Sequence, residues 1–255
     1  EQVDISDAAL DTLIAGYTRE AGLRNFERQI GAIARHAAVK IAEGEPGPGL
    51  IEPDNLKAII GAKRVDDEVA LRTSVAGVVT GLAWTPAGGD ILFVEASRAP
   101  GSGKLTITGQ LGDVMKESAQ AALSLVKARA ADLAIEQDRL DKSDIHIHVP
   151  AGAIKKDGPS AGVALYTALV SLLTDHKVRA DVAMTGEISL RGQVLPIGGV
   201  KEKTLAAHQA GIKTVMLPHR NRKDEEDIPE NVRSALDIRY VSHVDEAIEI
   251  ALSEI

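Results

Sequence analysis

The sequence predicts an α/β fold with a mixed sheet, preceded by a small all-α subdomain. Three observations carry this. Strand-like and helix-like segments alternate from residue 77 to the end of the chain. Residues 161–173 are apolar nearly all round, as a helix buried between layers must be. Residues 1–68 carry helical spacing without strand alternation.

Residues 6–43 read as helical. Ser6 and Asp7 are suitable N-cap residues, with Leu10, Leu13, Ile14 and Tyr17 following at helical spacing. Gly22 interrupts the run, and Phe26, Ile30, Ile33, Ala37 and Ile41 mark a second helix. Residues 44–49, with Pro46 and Pro48, form a turn. Residues 53–60 form a third helix, with Pro53 tolerated at its start. The polar stretch 63–73 marks the boundary, which gives domains 1–68 and 69–255.

Residues 77–84, 90–97 and 104–109 are β-like, and Gly88-Gly89 suits a hairpin turn. A long helix starts near Gly112, with Met115, Ala119, Ala122, Leu123, Val126 and Ala130 on one face. Ile145, Ile147 and Val149 alternate with polar residues as a strand does. Residues 182–185, 194–197 and 214–217 are further strands. A helix runs from about Gly199 to before Gly211, and a last one covers 244–252.

Composition excludes several functions. The formal net charge is −8, which gives no global footprint for nucleic acid. Lys155, Lys156, Arg220, Arg222 and Lys223 are candidates for a local basic patch, although solvated lysines are the plainer reading. Aromatics at 2% argue against base stacking. Without cysteine there is no disulfide, thiolate metal site or cysteine nucleophile. No apolar run approaches the ~18 residues of a membrane span. A chain opening on Glu1 without a signal-like segment suggests a processed chain or an excised piece, with an intracellular location as the default expectation.

Two stretches carry chemistry. In Lys156-Asp157-Gly158-Pro159-Ser160-Ala161-Gly162 a serine stands between turn residues and the buried helix. Backbone N–H groups around Gly158 to Ser160 can stabilise the oxyanion formed when a hydroxyl attacks a peptide carbonyl. The competing reading is an ordinary N-cap serine. The segment also matches the G-x-S-x-G elbow of α/β-hydrolases, with His208, His219 and His243 downstream. That elbow needs a strand leading into the serine, and residues 152–157 resemble a loop.

The second stretch is Thr185-Gly186-Glu187, followed by Gly198-Gly199-Val200-Lys201-Glu202-Lys203. Both lysines fall in the first turns of a helix, where the dipole disfavours a cation and burial would lower a pKa further. Such a lysine can be neutral and act as a base; otherwise both are surface residues. His146 and His148 share a strand face, but no third metal ligand is in register, so no metal is expected.

These stretches, with Val182-Ala183-Met184-Thr185-Gly186-Glu187, the run 191–203 and Gly211-Ile212-Lys213-Thr214-Val215, resemble the Lon protease family over almost the whole chain. The resemblance implies a serine endopeptidase with a Ser–Lys dyad, Ser160 as nucleophile and Lys203 as base. It implies that Thr185 hydrogen-bonds the lysine and that Asp157 and Glu95 lie near the dyad. Lys155 departs from it, standing where proline is expected in many relatives.

Thr18-Arg19-Glu20-Ala21-Gly22-Leu23-Arg24-Asn25-Phe26-Glu27-Arg28 resembles the helical lid of the AAA+ ATPase module, with Arg24 at the sensor-2 position that touches nucleotide phosphates. Gly101-Ser102-Gly103-Lys104 is only superficially a phosphate loop: Leu105 replaces the Ser/Thr and Arg98 the first glycine. The expectation is therefore no cofactor for this chain, and ATP and Mg for the full-length protein. The resemblance further implies unfolded, damaged and regulatory protein substrates, a homo-hexamer and a cytoplasmic location. The alternatives are a non-catalytic Lon-like scaffold or chaperone module, and a Ser–His α/β-hydrolase.

Overall fold

A computed structural model describes residues 3–18, 23–63, 75–85, 88–150 and 156–252. Gly22, Lys155 and most of the stretch 63–73 lie outside the described residues. The chain divides into two compact units, one within 1–67 and 86–88, the other within 68–85 and 89–255.

The first unit holds α1 (Asp7–Tyr17), α2 (Arg24–Ala42) and α3 (Pro53–Ile60). The Ser6 hydroxyl accepts from Ala9 N at 3.2 Å, the N-cap its position suggested. Ala9, Leu13, Tyr17, Ile33 and Leu56 make the core. One pair of strands adds to the expected helices. β1 (Val3–Ile5) and β2 (Gly49–Ile51) run parallel, with Val3 opposite Gly49. At three residues each they are too short for alternation to show in sequence.

The second unit is built on a seven-stranded sheet of order β11-β10-β7-β3-β4-β6-β5. Its strands are β3 (Val78–Thr85), β4 (Gly88–Pro100), β5 (Leu105–Thr108), β6 (Ser143–His148), β7 (Val182–Met184), β10 (Thr214–Pro218) and β11 (Asp237–Val241). β3, β7, β10 and β11 are mutually parallel, β6 is antiparallel to β4, and β5 is parallel to β6, so the sheet is mixed. β8 (Glu187–Ile188) and β9 (Val194–Leu195) form a separate antiparallel hairpin.

Period-two alternation gives the sheet a core on each face. Val182, Met184 and Met216 point into a large core shared with α4 (Asp113–Ala128) and α6 (Gly162–Thr174). Ala183, Val215 and Leu217 point into a second core shared with α7 (Val200–Gln209). Residues 162–173 of α6 are all buried, as their composition required. α6 and α7 therefore lie on opposite faces, and their N-termini meet near the end of β7. A crevice beyond strand carboxyl ends is where open α/β sheets place their sites.

Several elements depart from the sequence reading. Gly88 and Gly89 begin β4 rather than making the turn. The reason is contact: a Cβ on Gly89 would stand 1.9 Å from Glu202 O, so only glycine lets β4 pass beneath α7. β8, β11, α5 (Gln137–Asp141), α8 (Glu230–Ala235) and the 3-10 helix His219–Asp227 were not anticipated. Most are short. The long helix ends at Ala128, short of Ala130 at the end of its apolar face. α9 (Val244–Ala251) matches its apolar spacing.

Gly89→Ala is expected to push α7 away from the sheet and lower stability by about 1–3 kcal/mol, the usual cost of overpacking. A denaturant midpoint equal to that of the parent would show that the approach is not tight.

Candidate active site

Ser160 lies in the 3-10 turn Pro159–Ala161 that opens α6. Its backbone is fixed by the segment after β7. The Ser160 carbonyl accepts from Gly186 N at 2.8 Å and from the Thr185 hydroxyl at 3.1 Å, and Val163 N donates to Gly186 O at 3.0 Å. Thr185 is held in turn by β10, because its N–H donates to Met216 O at 3.2 Å.

Lys203 stands in the first turn of α7, its N–H bonded to Gly199 O at 3.0 Å. Gly199 has φ 71°, the left-handed region that glycine enters freely, which lets the chain turn sharply into the helix. Lys203 is only 2% exposed, whereas Lys201, two positions and about 200° round the helix, faces solvent. The Lys203 amine donates to Thr185 Oγ1 at 3.1 Å. The Thr185 hydroxyl has one proton, already given to the Ser160 carbonyl, so it can only accept from the amine.

Ser160 and Lys203 line one cleft of about 470 Å³, with Asp157, Gly158, Leu82, Leu92 and Met115. Trp84, 58% exposed, lies against Gly199 and lines the cleft. Burial in this apolar setting pushes the Lys203 pKa down from 10.5 to about 8, only weakly opposed by Glu202. Two helix N-termini, at Pro159–Ala161 and at Gly199, also converge here, and their positive ends disfavour an ammonium while favouring an oxyanion.

The remaining candidates fall in different places. Asp157 accepts from Met115 N at 3.3 Å and from Gly158 N at 3.1 Å. It thereby caps α4, whose own N-cap residue Gly112 has no side chain to do so. A Cβ at Gly112 would stand 2.1 Å from the Asp157 carboxyl carbon. The Gly158 N–H is thus engaged with a carboxylate. Glu95, half-buried on β4 opposite His148, is not among the described residues lining the cleft. Arg24 is the exposed first residue of α2.

His208, His219 and His243 are also not among the described residues lining the cleft. His146 and His148 share the Thr108 hydroxyl at 2.8 and 2.7 Å. Among the described residues no group of three side chains could hold a metal. The loop Gly101–Lys104 cannot cradle a phosphate: its Ser102 and Lys104 N–H groups, at 2.8 and 2.9 Å, already hold the Asp144 carboxylate. Those bonds keep the Asp144 pKa low.

Sequence reasoning missed Asn221, a buried amide bonded to Ile197. It missed Met115 and Leu92 as cleft walls too, since apolar residues carry no signal separating wall from core.

Family comparisons place this geometry. Residues 50–254 match the Lon protease (S16) C-terminal proteolytic domain. The chain belongs to the Lon protease family. Residues 1–48 match the Lon protease AAA+ ATPase lid domain. The chain is 62% identical over 252 residues to the Lon protease of Phenylobacterium zucineum strain HLK1, covering 99% of this chain and 32% of that protein. Lon proteases of Methylocella silvestris and Paraburkholderia phytofirmans are 59% and 58% identical, over 98% and 97% of this chain and 31% of each relative. The chain thus spans about a third of the length of these relatives and carries the serine-protease portion of Lon. The proteolytic match begins at residue 50, while β2 and α3 pack within the first unit.

Burial of Lys203 has a stability signature. A shift from 10.5 to about 8, at ~1.4 kcal/mol per unit, amounts to roughly 3 kcal/mol against the charged folded form. Between those two values the unfolded chain binds more protons, so stability rises with pH there. Lys203→Met is therefore expected to be more stable than the parent by about 2–3 kcal/mol at neutral pH, with the gain shrinking as pH rises from about 8 toward 10.5. Denaturation curves across that range check it; a gain independent of pH would mean the amine is not desolvated.

Proposed function

We propose that the chain is the peptidase part of an ATP-dependent endopeptidase, with Ser160 as nucleophile and Lys203 as general base. One observation carries this: the buried Lys203 amine donates an N–H hydrogen bond to a threonine hydroxyl that can only accept it, in the same cleft as Ser160. A neutral amine so held keeps its lone pair for the serine proton. Ser160 Oγ attacks the scissile carbonyl and its proton passes to Lys203. The resulting oxyanion is stabilised at the N-terminus of α6. Protonated Lys203 then gives its proton to the departing amine, leaving an acyl-enzyme. Water, deprotonated by the same lysine, releases the acid and restores Ser160. Gly158 contributes to the oxyanion site once its N–H leaves the Asp157 carboxylate. Glu95 and Asp157 are proposed to modulate the dyad, Asp157 through its bond to Gly158 N.

A non-catalytic scaffold or chaperone has no need of a buried, deprotonatable amine, so that reading is weaker. The assembled protein is proposed to act on unfolded, damaged and regulatory proteins as a cytoplasmic homo-hexamer, with the domain boundary at 68/69. Among the described residues no helix is long and apolar enough to cross a membrane. The loop Gly101–Lys104 of this chain is filled by the Asp144 carboxylate; ATP and Mg are proposed for the rest of the full-length protein. Bound there, the nucleotide would supply the work of unfolding and feeding substrate, with Arg24 touching its phosphates.

Peptide cleavage is expected to rise with pH along one ionisation near 8. Ser160→Ala and Lys203→Arg are expected to be inactive, since guanidinium stays protonated, while the exposed Lys201→Arg retains activity. A pH–rate profile of the three variants decides; activity in Lys203→Arg alongside loss in Lys201→Arg would assign the wrong lysine.

Arg24→Ala is expected to leave small-peptide cleavage by this chain unchanged but to impair ATP-driven degradation by the full-length protein. Equal ATP-dependent degradation by both full-length proteins would remove Arg24 from nucleotide sensing.

A further inference from the structure

We infer that Asn221 is a positioning residue for the substrate-binding rim of the cleft, an assignment that rests on the serine–lysine reading above. The rim is the segment Pro196-Ile197-Gly198-Gly199, all four of which line the cleft beside Ser160 and Lys203. Its sequence gives it little order of its own. Two adjacent glycines have the widest backbone freedom of any residues, and Pro196 has no N–H to give. A Cβ on Gly198 would meet nothing within 4 Å, so packing does not hold that residue.

Asn221 supplies the order. It is 2% exposed, in the 3-10 helix that follows β10. Its Oδ1 accepts from Ile197 N at 2.9 Å, and its Nδ2 donates to Ile197 O at 2.7 Å. The second Nδ2 proton goes to Asp224 Oδ2 at 2.6 Å. Both donors and the acceptor are used, and the backbone polarity of Ile197 fixes which way the amide faces. A side chain thus pairs with one residue's N–H and C=O as a neighbouring strand would. This sets the direction in which the 196–198 backbone presents its other polar groups.

The dyad has anchors apart from this clamp. α7 is anchored by its own buried residues Val200, Thr204 and Ala207, and Thr185 is fixed by Met216 O. Loss of the Asn221 amide therefore loosens the surface that an extended peptide touches while leaving Ser160 and Lys203 in place. The separation is measurable, because a small serine-directed fluorophosphonate needs the dyad but not the rim.

The experiment uses the full-length protease and reads KM and kcat for an extended peptide, the pH–rate midpoint, and the rate of Ser160 labelling by the fluorophosphonate. Asn221→Ala is expected to raise KM at least ~10-fold, the scale of a misplacement near 1 Å, with midpoint and labelling rate unchanged. Asp224→Ala, which frees one side of the amide at a half-buried position, is expected to raise KM by about threefold and decides the matter if Asn221→Ala does not fold. Unchanged KM in a folded variant overturns the assignment. So does a fall in labelling with a shifted midpoint, which would place Asn221 behind the dyad itself. Failure of the parent to be labelled at Ser160 would overturn the serine–lysine reading independently of Asn221.

Discussion

An amine taken out of water is held in place at low cost only when it can give up its proton, and Lys203 is arranged for that. Its surroundings are apolar cleft walls and a threonine hydroxyl that accepts. The same desolvation that depresses its pKa to about 8 lets it receive a proton from a serine. Much of the surrounding architecture serves to keep that amine dry and aimed. β10 fixes Thr185 through Met216 O, Thr185 fixes Ser160 through its carbonyl, and α7 delivers the amine to the hydroxyl between them.

The sheet makes this possible by having a core on each face. α6 brings Ser160 from one side and α7 brings Lys203 from the other, so neither residue can reach the other except beyond the end of β7, where the sheet no longer separates them. Close approach requires small residues at particular points. Gly89 lets β4 pass beneath α7, and Gly112 leaves room for the Asp157 carboxylate that ties the serine loop to α4. Burying a lysine in this way opposes stability, and the cost falls where function needs the amine, a familiar trade in enzymes.

The legible part of the fold followed from period. The all-round apolar run at 162–173 and the alternation at Ile145 and Ile147 gave α6 and β6 because burial on two faces or one leaves a pattern. β1, β2 and β8 left none, being two or three residues long and defined by their pairing. β11 does alternate, with Ile238 and Tyr240 packing inward and a charged residue between them, the pattern of a half-buried strand. In the cleft, Ser160 and Lys203 stood out through glycine-rich surroundings at helix starts. Asn221 did not, since an asparagine in a polar segment reads as solvated until its two bonds to Ile197 are seen.

The claim on which the rest depends is that burial lowers the Lys203 pKa to about 8, so that an appreciable fraction of the amine is neutral near physiological pH. Titrating its side-chain resonances by NMR, with isotope-labelled lysine and Lys203→Met for assignment, reads that ionisation without reference to catalysis. The account requires a midpoint near 8. A midpoint near the ordinary lysine value of ~10.4 would contradict it, since only about a thousandth of the amine would then be neutral near physiological pH and free to take the Ser160 proton.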